Sequence, residues 1–143
     1  MANDMSVRAV LETGMCFDVT TGSGHHVLLD AAEQNGGQDR GPRPMEMLLV
    51  ALASCAGMDI VSILRKKRQD IKAYEVRVHG ERAEEHPKVF VEIVVEHIFT
   101  GHAIQPEAVQ RAIDLTEERY CGASATLGKT AKLTHTFLII EGT

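Results

Sequence analysis

One apolar segment, residues 45–64, constrains the fold of this chain more than any other feature. At about 20 residues it approaches the length of a membrane-spanning helix. It also contains Glu46 and Asp59, and because carboxylates are costly within a bilayer, the segment predicts a buried helix of a soluble domain and no membrane partner. Apolar residues fill every face of this helix, so we expect it to be enclosed for most of its length.

Three short segments rich in strand-forming residues precede this helix, at residues 7–11, 15–20 and 25–30. Turn-forming glycines separate them, which predicts an antiparallel meander. The glycines, prolines and polar residues of 31–44 predict a loop whose last residue, a proline, can begin a helix.

A hairpin and a second helix follow the apolar helix. Apolar and polar residues alternate at residues 74–78 and 89–98, and this pattern predicts the two strands of the hairpin. An amphipathic helix begins near Gln105 and runs to about Tyr120. One side of it carries Val109, Ala112, Ile113 and Thr116.

The C-terminal part predicts a turn or short helix at residues 124–129 and a last strand at 133–140. The order of elements is therefore βββαββαβ, which is an α+β fold with two helices. The length of 143 residues, with 44% hydrophobic and 24% charged residues, predicts a single domain over residues 1–143.

The net charge and the number of cysteines limit which partners and which cellular compartment are expected. The net charge of −5 repels phosphate backbones, so no nucleic-acid partner is expected. Three widely spaced cysteines are typical of a reducing compartment, and no secretory signal is visible at the N-terminus, so we expect a cytoplasmic protein. One sheet and one further helix cover an all-apolar helix only in part, and a second subunit would supply the rest, which predicts a homodimer.

The cysteines differ in their surroundings. Cys55 lies among small apolar residues of the long helix, where a cysteine by itself is more often a packing residue than a reactive one. Cys121 lies where a helix meets a turn, and from this position both packing and chemistry stay open. Cys16 alternates within a strand and is the weakest candidate.

Metal and cofactor sites are not predicted. His25 and His26 would point to opposite faces of a strand, and the other five histidines lack the spacing of metal ligands. There is no Gly-x-Ser-x-Gly elbow and no phosphate-binding glycine loop, so no hydrolase, nucleotide or other cofactor site is indicated.

Two cysteine-containing segments carry a family resemblance. The first is GPRPMEMLLVALASC at residues 41–55, and the second is YCGASATL at residues 120–127. Together they resemble the OsmC/Ohr family of thiol peroxidases, the osmotically inducible and organic hydroperoxide resistance proteins. The resemblance extends over nearly the whole chain and implies an intertwined homodimer with active sites at the subunit interface.

The resemblance also implies roles for two cysteines. Cys55 matches the peroxidatic cysteine and Cys121 the resolving cysteine. A thiolate that attacks an O–O bond becomes a sulfenic acid, and a second thiol condenses with it to a disulfide. An external dithiol then reduces the disulfide.

The chain departs from the family pattern in its charged residues. Many members carry a glutamate directly after the helix-opening proline, whereas this chain has Glu46 one residue later, about 100° around the helix. No arginine lies near Cys16, where the family's thiolate-binding arginine is expected, so Arg40 and Arg43 are the favoured substitutes and Arg8 is next. Asp59, one turn after Cys55, should raise the pKa of the thiol unless a cation lies between them.

The sequence therefore predicts a cytoplasmic, homodimeric cysteine peroxidase that acts in the oxidative stress response. Its catalytic residues are predicted to be Cys55, Cys121, Glu46, Arg43 and Arg40. The apolar neighbours of Cys55 favour organic hydroperoxides as substrates. The alternative is a dimeric module that binds a small apolar ligand or senses redox state without turnover, and a purely structural dimer is third.

Overall fold

The computed structural model describes residues 4–142, and the residue contacts group into two compact units. The first unit ends at Leu48 and the second begins at Leu49. The predicted single domain over 1–143 includes residues 1–3 and 143, which lie outside the described residues.

The first unit contains a three-stranded meander. Its strands are β1 (Val7–Thr13), β2 (Cys16–Thr21) and β3 (His26–Leu29), in the order β1-β2-β3 with both pairs antiparallel. The predicted meander is confirmed. Gly14, in the tight turn between β1 and β2, has a φ of 58°, a conformation that glycine adopts without strain.

A buried carboxylate organises the loop after β3. Asp30 is buried and accepts hydrogen bonds from the backbone N–H groups of Ala31 at 2.7 Å, Arg40 at 3.1 Å and Gln38 at 3.2 Å. Burial by itself would raise the pKa of Asp30, but these three donors outweigh it and the pKa is lowered. The carboxylate therefore fixes the loop that leads to the long helix.

The long helix α1 spans Pro44–Lys66. Glu46 caps its first turn, because its Oε1 accepts the backbone N–H of Arg43 at 2.8 Å. This is the bond that the residue at helix position N3 makes to the N-cap residue in a capping box. By length and apolar composition α1 could also cross a bilayer, a test that the core helices of soluble proteins meet as well.

Only one stripe of α1 is buried within the chain. Besides Gly57, the buried residues recur every fourth position: Leu52, Ala56, Ile60 and Leu64. Val50 and Met58 are exposed, Met58 by 69%. The prediction that α1 is enclosed for most of its length is therefore wrong for a single chain, because the elements that pack on it cover one ridge of side chains.

The second unit contains a mixed three-stranded sheet. Strands β4 (Asp70–Arg82) and β5 (Phe90–His102) form the predicted antiparallel hairpin, which is longer than expected although β5 begins one residue later than predicted. The last strand, β6 (Lys132–Glu141), pairs with β5 in parallel, so β5 is the central strand.

Residues 4–142 contain three α-helices, which are the two that were predicted and a short one where a turn or short helix was expected. Helix α2 (Pro106–Leu115) widens into a π-helical turn (Thr116–Tyr120), and α3 (Gly122–Leu127) follows. The break falls at Cys121, whose φ of −83° and ψ of 102° are extended. The predicted apolar face of α2 and the following turn is confirmed, since Val109, Ala112, Ile113 and Thr116 are all buried. Three of these pack with Ile60, Leu64, Phe99 and Ile104 in the core of the second unit.

Candidate functional site

The second unit brings together three side chains that are far apart in sequence. The Sγ atoms of Cys55 and Cys121 and a carboxylate oxygen of Asp59 all lie within 4.8 Å of one another. Cys55 and Asp59 are four residues apart on α1 and so share a face of the helix. These groups are chemically able to hold a metal ion, which the sequence-based prediction of no metal site did not foresee.

Cys121 is placed by the irregular segment between α2 and α3. Its backbone N–H donates to the carbonyl of Thr116 at 2.9 Å, which closes the π-helical turn. Its Sγ accepts the backbone N–H of Ser124 at 3.3 Å and so caps α3. The residue is only 3% exposed. The hydroxyl groups of Thr116 and Ser124 are buried without a hydrogen-bond partner among the described residues.

The groups around Cys55 have opposing effects on the pKa of its thiol. Desolvation raises the pKa of the thiol, and the hydrogen bond with Cys121 and the nearby charge of Asp59 raise it further. The backbone N–H of Ala123 acts in the opposite direction by stabilising the thiolate. The net pKa is raised, and the expected influence of Asp59 is confirmed in its direction. None of the three cysteines forms a disulfide in the structure.

A cavity of about 380 Å³ lies beside Asp59, although neither cysteine of the pair lines it. Asp59 lines it together with residues of mixed character, the apolar or aromatic Ile63, Leu115 and Tyr120 and the cationic Lys66 and Lys67. The cavity offers space for a small molecule beside Asp59.

The charged residues predicted for the site belong to the first unit and have partners there. Arg40 forms an ion pair with Glu12 at 2.6 Å. Arg43 pairs with Asp39 at 2.8 Å, and Glu46 accepts the backbone N–H of Arg43. Their catalytic roles therefore stay predictions.

Cys16, the weakest candidate, has a cation beside it. It is buried, and desolvation raises the pKa of its thiol while the charge of Arg40 opposes that rise. The net pKa is raised, so the residue combines poor access with a weakly acidic thiol, which is typical of a packing cysteine.

A second polar cluster, a row of buried rings, was not predicted. The hydroxyl of Tyr74 lies 2.7 Å from Nδ1 of His97, and Nε2 of His97 lies 2.9 Å from Nδ1 of His135. Nε2 of His135 is 3.2 Å from Oε2 of Glu117, although the N–H does not have the alignment of a hydrogen bond. The row runs from β4 to the π-helical turn before Cys121.

One arrangement of protons satisfies the two hydrogen bonds of this row. Tyr74 donates to His97, neutral His97 donates to His135, and neutral His135 keeps its own proton on Nε2, 3.2 Å from Oε2 of Glu117. Burial lowers the pKa of His97 to about 4, with a further contribution from His135, and raises that of Tyr74 beyond the usual range. Burial also lowers the pKa of His135, against the opposing charge of Glu117.

Part of this row has a sequence signal. His97 occupies an inward position of the alternating stripe that also contains Ile93, Val95 and Phe99, and a histidine in such a stripe is buried and needs partners. Its pairing with His135 could not be found from spacing, because it depends on the parallel arrangement of β5 and β6.

Comparison with known proteins identifies the family. The model of OsmC-like proteins matches residues 36–136, which include both cysteines of the pair. This chain belongs to the OsmC-like family. A curated relative, protein YhfA of Escherichia coli strain K12, is 40% identical over 136 residues, which cover 95% of this chain and 98% of YhfA.

Solved structures of OsmC-like proteins have the same fold. The OsmC-like protein from Mycoplasma pneumoniae superimposes with a TM-score of 0.82 at 19% identity, covering 98% of this chain and 99% of that protein. An organic hydroperoxide resistance protein OsmC from Legionella pneumophila gives a TM-score of 0.72 at 14% identity, covering 96% and 98%. The predicted α+β OsmC-like fold and the predicted family are confirmed.

Proposed function

We propose that this protein is a thiol peroxidase that reduces organic hydroperoxides. The observation that carries the proposal is the proximity of Cys55 and Cys121, whose sulfur atoms lie within 4.8 Å of each other although 65 residues separate them in sequence. Membership of a family that includes hydroperoxide resistance proteins supports it.

The chemistry needs one nucleophile and one resolving thiol. The Cys55 thiolate attacks the O–O bond of the hydroperoxide, the bond breaks, and the alkoxide leaves as an alcohol after taking a proton, while Cys55 becomes a sulfenic acid. The Cys121 thiol then displaces water from the sulfenic acid to form the Cys55–Cys121 disulfide. An external dithiol returns both residues to thiols and is itself oxidised to a disulfide.

The surroundings of the pair support an organic substrate. Ile63, Leu115 and the ring of Tyr120 give the cavity beside Asp59 an apolar wall that suits an alkyl or aryl chain. The backbone N–H of Ala123 stabilises the thiolate of Cys55, and Arg40 or Arg43 is proposed to add a positive charge.

The proposed assembly is a homodimer in the cytoplasm. The uncovered face of α1, which includes Val50 and Met58, would be buried against a second copy. Three free cysteines suit a reducing compartment, where the external dithiol is available.

Cysteine variants test the peroxidase. Wild-type protein should lose two free thiols per chain on treatment with cumene hydroperoxide. Cys55→Ser should consume none, and Cys121→Ser should react about once and then accumulate Cys55 sulfinic acid under excess hydroperoxide. Cys16→Ser is the matched control and should behave as wild type. Peroxide consumption and mass spectrometry of each variant are the measurements, and wild-type turnover by Cys55→Ser would refute the assignment.

A second candidate function is binding of a small apolar ligand without turnover. The first unit has its own cavity of about 390 Å³, with a wall that includes Met15, Phe17, Val19 and Leu29. If every cysteine variant and the wild type are equally inert toward hydroperoxide, this function is favoured, and binding of an apolar fluorescent probe should then be lost in Phe17→Asp.

A further inference from the structure

Asp59 has no role in the proposed peroxidase. A carboxylate beside a nucleophilic cysteine hinders ionisation of the thiol, which is the opposite of what a peroxidase needs. Asp59 is half-buried and makes no hydrogen bond or ion pair among residues 4–142. Lys66 and Lys67 line the same cavity, but neither lies within ion-pairing distance of it.

We propose that Cys55, Asp59 and Cys121 form a binding site for a thiophilic divalent cation, with Zn²⁺ as the preferred ion. Two sulfur atoms and one carboxylate oxygen already lie within 4.8 Å of one another. In a tetrahedral zinc site such atoms are about 3.6–3.8 Å apart, so closing by roughly 1 Å completes the geometry. This function does not depend on peroxidase activity.

The arrangement on the helix makes that closure easy. Cys55 and Asp59 project from adjacent turns of the continuous helix α1, so rotation of their side chains is enough to change the distance between them. Cys121 is held by the π-helical turn and by its hydrogen bond from Ser124. Three ligands come from two well-ordered segments, so little conformational entropy is lost when the ion binds.

The ligand set favours zinc over harder cations. Thiolate ligands select Zn²⁺ and other soft ions, whereas Mg²⁺ and Ca²⁺ require oxygen ligands. When both cysteines are ionised the cluster carries three negative charges, and a divalent cation removes most of their mutual repulsion. Three protein ligands leave a fourth position open for a water molecule or a small ligand, and one of the three, Asp59, also lines a cavity of about 380 Å³.

Metal titration of the reduced protein tests the site, in the absence of any hydroperoxide. We expect about one Zn²⁺ per chain in competition with a chromophoric chelator, and expect Co²⁺ to give thiolate charge-transfer absorption and the intense visible bands of a tetrahedral site. Cys55→Ser and Cys121→Ser should abolish these signals. Asp59→Asn should weaken Zn²⁺ binding by at least about tenfold.

Two control variants should bind Zn²⁺ as wild type does. Glu118→Gln removes an exposed carboxylate near the cluster in sequence, and Cys16→Ser removes the thiol outside it. Wild-type affinity in Asp59→Asn, loss of binding in Cys16→Ser, or failure of reduced wild type to bind Zn²⁺ at micromolar concentration would each overturn the proposal. Circular dichroism checks folding. If a cysteine variant does not fold, Asp59→Asn and the wild-type Co²⁺ spectrum still decide.

Discussion

The buried histidine row makes folding stability depend on pH. His97 is 0% exposed, and its two ring nitrogens contact the hydroxyl of Tyr74 and Nδ1 of His135. Its pKa in the folded protein is about 4, against 6.5 for an unperturbed histidine. Between these two values the unfolded chain binds a proton at His97 that the folded protein does not bind. The free energy of unfolding should therefore fall as the pH decreases from 6.5 to about 4.

The size of the effect follows from the difference between the two pKa values. One pKa unit corresponds to about 1.4 kcal/mol, so His97 contributes on the order of 3 kcal/mol over the whole interval, fully present above pH 6.5 and lost by about pH 4. His135, whose pKa burial also lowers, adds a contribution of the same sign.

The variant His97→Phe separates this effect from general acid denaturation. Phenylalanine keeps a ring that can stack near Tyr74 and Phe99 but cannot be protonated. At neutral pH the variant should be less stable by about 2–4 kcal/mol, because the Tyr74 hydroxyl and Nδ1 of His135 lose their partner. Its free energy of unfolding should also depend less steeply on pH than that of wild type, and the two slopes should differ by up to about 1.4 kcal/mol per pH unit.

Chemical denaturation followed by circular dichroism measures both quantities, at one fixed protein concentration. His79→Phe is the matched control because the side chain of His79 is 77% exposed. Parallel pH profiles for wild type and His97→Phe would refute the reasoning. NMR titration of the His97 ring in wild type provides a direct check, and protonation near pH 6.5 would contradict a buried neutral histidine.

Further predictions concern the arginines proposed to support the Cys55 thiolate, the proposed dimer interface on α1 and one core residue. Arg40→Ala or Arg43→Ala should raise the pKa of Cys55 if either arginine supports its thiolate, and pH-dependent alkylation read by mass spectrometry would disprove both roles if neither variant differs from wild type. Wild type should sediment as a dimer, and Met58→Lys should sediment as a 15.7 kDa chain, since a charge on the uncovered face of α1 opposes association; a folded wild-type monomer at micromolar concentration would contradict this. Leu52→Ala should lower the free energy of unfolding by about 3 kcal/mol, because Leu52 is completely buried, and a change under about 1 kcal/mol would mean that the cavity collapses.

Local patterns in the sequence determined the elements. Alternation predicted the meander and the hairpin, and the spacing of apolar residues predicted the buried face of α2, because both patterns repeat with the geometry of a single strand or helix. The two cysteine segments were sufficient for the family. They could also place Asp59 on the same face as Cys55, since four residues make one helical turn.

The tertiary structure decided which groups meet. An all-apolar helix predicts enclosure for most of its length, yet one stripe of α1 is buried, because cover depends on how many elements pack on it. The helix ends near Tyr120 as predicted, but only the tertiary structure shows that its last turn is π-helical and that the sulfur of Cys121 lies close to that of Cys55. His97 meets His135 only because β5 and β6 pair in parallel. Such contacts join residues that are distant in sequence, and no periodicity within one segment records them.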